Sequence, residues 1–226
     1  MAFPLSRAAL VRTVPFVAFM LLLALRGSLS PQSALGLDPR WIYGLTVLVV
    51  GGLLAWFWRE YGELVTQTLP SPSELLLAVV VGVAVFVLWV NLDALWMRLG
   101  EPSAGFVPTD LQGRVLWPLV AVRWVGASLI VPVMEELFWR SFLMRWVQSP
   151  IFESVLPRNV GPRAVLIATF IFVLAHTLWL AATIAGLAYA ALYIRTGKLW
   201  LAVIAHGVTN AALGAWVVAT GNWQFW

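Results

Sequence analysis

The sequence predicts an all-α, polytopic transmembrane helix bundle of about 7–8 spans, and three observations carry that prediction. Of the 226 residues, 62% are hydrophobic and 11% are charged, against about 25% charged in a soluble domain. Apolar runs approaching the roughly 20 residues that cross a bilayer as a helix recur along the chain. The 14 tryptophans include Trp41, Trp58, Trp96, Trp179 and Trp200 beside expected helix ends, where an indole ring meets the membrane–water interface.

Arg7 and Arg12 precede the first apolar run and Arg26 closes it without a small-residue cleavage site, so 13–29 reads as a retained span rather than a cleaved signal. The next spans are expected over 41–58 and 74–97, the second introduced by Ser71 and Glu74 at capping-box spacing. The run 115–147 is too long for one straight span and contains Pro118 and Pro132; it reads as one kinked helix or as two. A proline- and arginine-bearing loop over 149–163 leads to expected spans over 163–181, 182–195 and 199–220. Residues 1–114 thus form an N-terminal set of helices, and 115–226 a helical core that carries the chemistry.

The net charge of +4 comes from 14 Lys and Arg against 10 Asp and Glu. The basic residues form no stripe dense enough for nucleic acid, and they fit short loops beside anionic membrane lipid. The absence of cysteine excludes disulfides, a thiolate nucleophile and thiolate-ligated zinc. With 115–147 counted as one crossing, Arg7, Arg12, Arg59, Arg145, Arg158, Arg163, Arg195 and Lys198 lie on one side and Arg26, Arg40, Arg98 and Arg114 on the other. That asymmetry places the N-terminal end of the bundle in the cytoplasm.

A charge deep in a span costs roughly 2.5–3.5 kcal/mol on insertion scales, so such residues are functional candidates by default. They concentrate in the C-terminal half: Glu135, Glu136 and Arg140 in Pro-Val-Met-Glu-Glu-Leu-Phe-Trp-Arg, His176 in Phe-Val-Leu-Ala-His, and His206 and Asn210 in His-Gly-Val-Thr-Asn. On a helix Glu136 shares a face with Arg140 while Glu135 points elsewhere, and His206 shares a face with Asn210. Counted from Arg145, Arg163 and Lys198, the residues Glu135, His176 and His206 lie roughly 15, 20 and 12 Å deep, similar levels given tilt. Two chemistries fit such a cluster. A carboxylate and an imidazole can activate water while the second histidine and the asparagine donate to an oxyanion. Alternatively Glu135, His176 and His206 make a two-histidine, one-carboxylate zinc set with an open position.

The series Glu-Glu-x-x-x-Arg, Phe-x-x-x-His and His-x-x-x-Asn, in this order and all in membrane segments, resembles the CPBP family of CAAX proteases and bacteriocin-processing enzymes, which includes the Ras-converting enzyme. The resemblance covers roughly residues 115–215. It implies an intramembrane endopeptidase in which Glu135 activates water with His176, His206 and Asn210 hold the oxyanion, and Glu136 and Arg140 orient the site. It favours a metal-free glutamate mechanism with no cofactor, although members have long been described as zinc enzymes. Expected partners are membrane lipid and a peptide or membrane-protein substrate. The closing Gly-Asn-Trp-Gln-Phe-Trp of 221–226 resembles the exosortase-associated bacterial branch, which implies a bacterial inner membrane.

Plainer roles stand beside these. Glu136 and Arg140 also read as a buried structural pair, Asn210 as helix-packing glue, and Phe172 as packing beside His176. Asp93 and Arg123 are expected to be structural, pairing with each other or reaching the interface. Gly186, Gly207 and Gly214 are expected to permit close helix approach. A proton-coupled transporter or a catalytically silent scaffold would use the same intramembrane polar residues.

Overall fold

The computed structural model describes residues 6–29, 38–66, 68–100 and 105–226. Eight helices account for it: α1 (Arg7–Ser28), α2 (Ile42–Trp56), the short α3 (Gly62–Val65), α4 (Pro72–Asn91), α5 (Trp117–Gln148), α6 (Pro162–Leu174), α7 (Trp179–Thr196) and α8 (Leu199–Thr220). Apart from α3 they run alternately up and down. At one end Arg7 meets Glu60, Lys198 meets Glu74, and the Trp200 indole donates to the Leu64 carbonyl. At the other end the Leu99 amide donates to Thr177 O, and the Trp179 indole to Trp96 O. The eight basic residues expected on one side sit at or near the first end.

The ends of the helices follow local chemistry. Ser71 and Glu74 form the expected capping box, each side chain taking the other's backbone N–H. Gly197 and Gly221 end α7 and α8 with positive φ of 73° and 71°, where L side chains are disfavoured.

Helix α5 is one continuous helix, which decides the question left open for 115–147. Pro118 stands in its first turn, where no intrahelical bond is lost, and the helix carries two wider, π-type stretches, Gly126–Ile130 and Leu137–Leu143. The first immediately precedes Pro132, whose ring would otherwise crowd the carbonyl four residues back. The second lies between the carboxylates of Glu135 and Glu136 and the end of the helix.

Helix α8 is the central post. Half of its most apolar window is buried inside the bundle, against 17% for α4. It packs on α4, α5 and α7, and Gly82 lets α4 come so near that an added Cβ would lie 2.5 Å from Ala205 O. Outward-facing apolar side chains such as Leu21, Leu48, Leu76 and Leu129 stay exposed, as lipid-facing positions do.

The expected spans need one correction. Among the described residues five helices (α1, α2 with its leading turn, α4, α5 and α8) are long and apolar enough to cross a membrane by length and composition, and α6 and α7 run alternately with them in the same bundle. The boundary expected at 181/182 lies earlier: α6 stops at Leu174 and α7 starts at Trp179. At 13 residues α6 is about 20 Å long, short of the hydrocarbon core, and α7 is largely enclosed by its neighbours. His176 therefore stands in the turn between two helices and not within one.

Candidate active site

Helix α5 supplies two adjacent carboxylates with different surroundings. Glu136 is fully buried. Its Oε1 accepts from Arg140 Nη1 at 3.0 Å, one turn along α5, and from His206 Nδ1 at 2.9 Å on α8. Arg140 in turn donates to Gly186 O on α7 at 3.3 Å, and its guanidinium lies 4.8 Å from the Phe172 ring centre and 5.4 Å from that of Tyr189. Gly186 is required there, since a Cβ would approach Thr169 of α6 to 2.9 Å. A buried carboxylate is tolerated only when paired and hydrogen-bonded, and Glu136 meets both conditions through Oε1 while tying α5 to α8; its Oε2 is buried and bonds nothing.

Glu135 is half-buried and makes no ion pair among the described residues; its Oε2 is buried and bonds nothing. A carboxylate oxygen left without a donor costs about 1–3 kcal/mol or more, an expense that folds concentrate at functional sites. Beside Glu135, the Glu136 carboxylate, Arg140 and the Phe172 ring link His206 to His176, so the polar residues of α5, α8 and the α6–α7 turn form one cluster.

His176 is held by its own turn. Its Nδ1 lies 2.8 Å from Phe172 O, and because a carbonyl only accepts, Nδ1 carries the proton and the neutral ring presents Nε2 as its basic nitrogen. Phe172 lies against one side of the ring at 4.3 Å and Trp89 meets it edge-on at 5.7 Å. Phe172 thus serves His176 twice, through its carbonyl and its ring.

On α8, His206 stacks on Tyr189 at 5.1 Å and 16°. The Tyr189 hydroxyl donates to Thr209 Oγ1 at 2.7 Å, and Thr209 reaches Gly82 O at 2.8 Å, so the stacking ring is itself anchored. Asn210 donates from Nδ2 to Ala127 O at 2.8 Å, in the first wide turn of α5, which leaves its second amide N–H uncommitted. Gly207, between them, would put a Cβ 2.9 Å from Ser128 O. His206 and Asn210 therefore both face α5, as their spacing predicts, and Asn210 also has the packing role foreseen for it.

A cavity of about 670 Å³ opens on the end opposite the basic rim, lined by His176 and by Arg26, Asp93, Arg98 and Arg123. The expected pairing of Asp93 with Arg123 does not occur: Asp93 takes Arg98, through Nη2 at 3.5 Å and through its own carbonyl at 2.7 Å. Arg123 stacks instead on Tyr43, 4.4 Å from the ring centre.

The zinc alternative rests on Glu135, His176 and His206. No group of three His, Asp or Glu side chains among the described residues is gathered as metal ligands. His176 Nδ1 and His206 Nδ1 are engaged by Phe172 O and Glu136, so a metal would have the two Nε2 atoms and the Glu135 carboxylate as its donors.

Tyr189, Thr209 and Trp89 were not singled out in the sequence. Tyr189 carries a weak signal, lying three residues after Gly186 on the buried face of α7. Trp89 carries none, because its role depends on where the α6–α7 turn falls.

Residues 117–212 match the family model of the type II CAAX prenyl endopeptidase Rce1-like proteins. No curated protein and no solved structure matches the chain. The match supports the CPBP family of CAAX proteases, an enzyme with protease activity, and an integral membrane protein.

Proposed function

We propose that this CPBP-type chain is an intramembrane endopeptidase that hydrolyses a peptide bond in or near the membrane, with Glu135 as general base. One observation carries the reading: of two adjacent carboxylates, Glu136 is engaged through Oε1 by Arg140 and His206, whereas Glu135 accepts no hydrogen bond and makes no ion pair among the described residues; a buried Oε2 without a donor is common to both. A water between Glu135 and His176 Nε2 would satisfy both. As its oxygen attacks the scissile carbonyl, its proton passes to Glu135, which then delivers it to the leaving amine.

The developing oxyanion would be met by His206 and Asn210. With Nδ1 directed at the Glu136 carboxylate, His206 turns Nε2 toward the oxyanion, and Asn210 offers its second amide hydrogen. His206 and Asn210 act within the membrane core, where such donors are worth more than in water. No step requires a metal.

The excess of basic residues at the N-terminal end of the bundle supports a cytoplasmic location for that end, in the bacterial cell membrane that the closing Gly-Asn-Trp-Gln-Phe-Trp suggests. Peptide then enters the cavity from the opposite face.

The test is cleavage of a set of apolar peptides by purified wild type and Glu135→Gln, each with and without a strong zinc chelator. The expected result is turnover by wild type that survives the chelator and is absent in Glu135→Gln. Turnover by Glu135→Gln at the wild-type rate would overturn the assignment; loss on chelation would replace it with a metal mechanism.

A further inference from the structure

We propose that the cavity beside His176 contains an anion subsite, Arg26 with Arg123, that binds a carboxylate of the peptide substrate. The inference rests on the protease reading above and adds to it the charge that the substrate must carry.

Three arginines and one aspartate line this cavity. Asp93 is engaged by Arg98, so Arg26 and Arg123 are in excess. Neither has a carboxylate partner among the described residues. What they face is aromatic: Arg26 lies 5.3 Å and Arg123 5.5 Å from the centre of the same Phe106 ring, and Arg123 also covers Tyr43. Arg26 Nη1 and Arg123 Nε are buried and bond nothing. The two guanidinium groups thus meet over one ring.

Two like charges brought together inside an apolar bundle, with donors unused, are costly unless an anion joins them. Their source argues for purpose: Arg26 stands in the last turn of α1 and Arg123 nearly two turns into α5, so two helices distant in sequence converge on one ring. A guanidinium fork matches a carboxylate with two parallel hydrogen bonds, and stacking on Tyr43 and Phe106 holds the fork in place. The cavity volume lies within the ~300–1,000 Å³ typical of ligand pockets, and His176 lines the same space. A peptide anchored there by a carboxylate, from its own C-terminus or from an acidic side chain, extends toward Glu135 and His176.

The test uses the full chain in neutral detergent micelles and a fluorescent alanine–leucine decapeptide in three forms: free C-terminal carboxylate, C-terminal amide, and amide with one internal glutamate. For wild type and for Glu135→Gln, one or both carboxylate forms should bind about tenfold or more tighter than the neutral amide, the worth of one charge-assisted hydrogen bond. Which form gains identifies the source of the carboxylate. Arg26→Gln and Arg123→Gln should each reduce the preference, and the double variant should abolish it. Arg114→Gln, an exposed arginine on the same rim, should leave it unchanged. Arg26→Lys and Arg123→Lys keep the charge and serve as folding controls; they should retain part of the preference.

Equal binding of all three peptides, or a preference that survives in the folded double variant, would overturn the proposal. So would displacement of the carboxylate peptides by phosphatidylglycerol but not by neutral lipid, which would mark the site as a lipid-phosphate site. The hydrolysis reading fails separately, if Glu135→Gln cleaves like wild type while the carboxylate preference stands.

Discussion

His206 Nδ1 donates to Oε1 of Glu136 at 2.9 Å, across 70 residues of chain. The pair fixes the imidazole so that only Nε2 faces outward. Glu136→Gln keeps the shape and replaces the carboxylate that holds the ring with an amide. We expect kcat to fall by about 10²-fold, the cost of weakening one oxyanion donor, with little change in KM. An unchanged kcat, measured with saturating peptide, would leave Glu136 a purely structural role.

His176 is positioned by its own turn and by two aromatic rings, so its removal should disturb catalysis more than folding. His176→Ala should lose about 10²–10⁴ in turnover, the usual contribution of a positioned acid–base group. Its melting temperature in detergent should remain close to that of wild type. Added imidazole should restore part of the rate, and a variant that melts far below wild type would instead give His176 a structural role.

Gly82 brings α4 against α8 where a Cβ would lie 2.5 Å from Ala205 O and 2.8 Å from Val208 Cβ. Gly82→Ala should push the helices apart, weaken the Thr209–Gly82 bond beneath Tyr189, and destabilise the protein by about 1–3 kcal/mol. Thermal unfolding should register the loss, whereas Gly52→Ala, where an added Cβ meets nothing within 4 Å, should not.

At the basic end of the bundle, Glu63 on the short helix α3 joins Arg12, Arg145 and Ser141, with Arg12 at 2.5 Å and Arg145 at 2.6 Å. Burial pushes the Glu63 carboxyl up, but Arg12, the Ser141 hydroxyl and Arg145 outweigh it, so its pKa lies below the ordinary value. A carboxylate whose folded pKa is depressed contributes stability above its unfolded pKa, near 4.5, and loses it as pH falls through the folded value. Stability should therefore drop on acidification below about pH 4.5. In Glu63→Gln that part of the pH dependence should vanish, with a loss near neutrality of about 3 kcal/mol from the two arginines left unpaired. Unfolding curves measured from pH 3 to 7 on both proteins decide it.

Much of this arrangement is legible in the order of residues. The i,i+4 pairing of Glu136 with Arg140, the shared face of His206 and Asn210, and the capping box at Ser71 are consequences of helical periodicity, and the structure contains all three. Periodicity could not locate the break that frees His176 from a helix. Apolar residues continue through 163–181, and the chain turns there because α4 and its following loop supply partners for Leu178, Thr177 and Trp179.

By itself the sequence determined an all-helical membrane bundle, the separation of basic from less basic ends, and the polar residues that an apolar solvent would not tolerate without a reason. Composition and local spacing suffice for those, since they depend on the cost of transferring each group and on the geometry of a single helix. Only the tertiary structure decided that 115–147 is one helix, that Glu136 takes His206 while Glu135 is left without a partner among the described residues, and that Asp93 pairs with Arg98 and leaves Arg123 to share a ring with Arg26. Those outcomes depend on which side chain of one helix reaches which side chain of another, a relation that no periodicity within a single segment encodes.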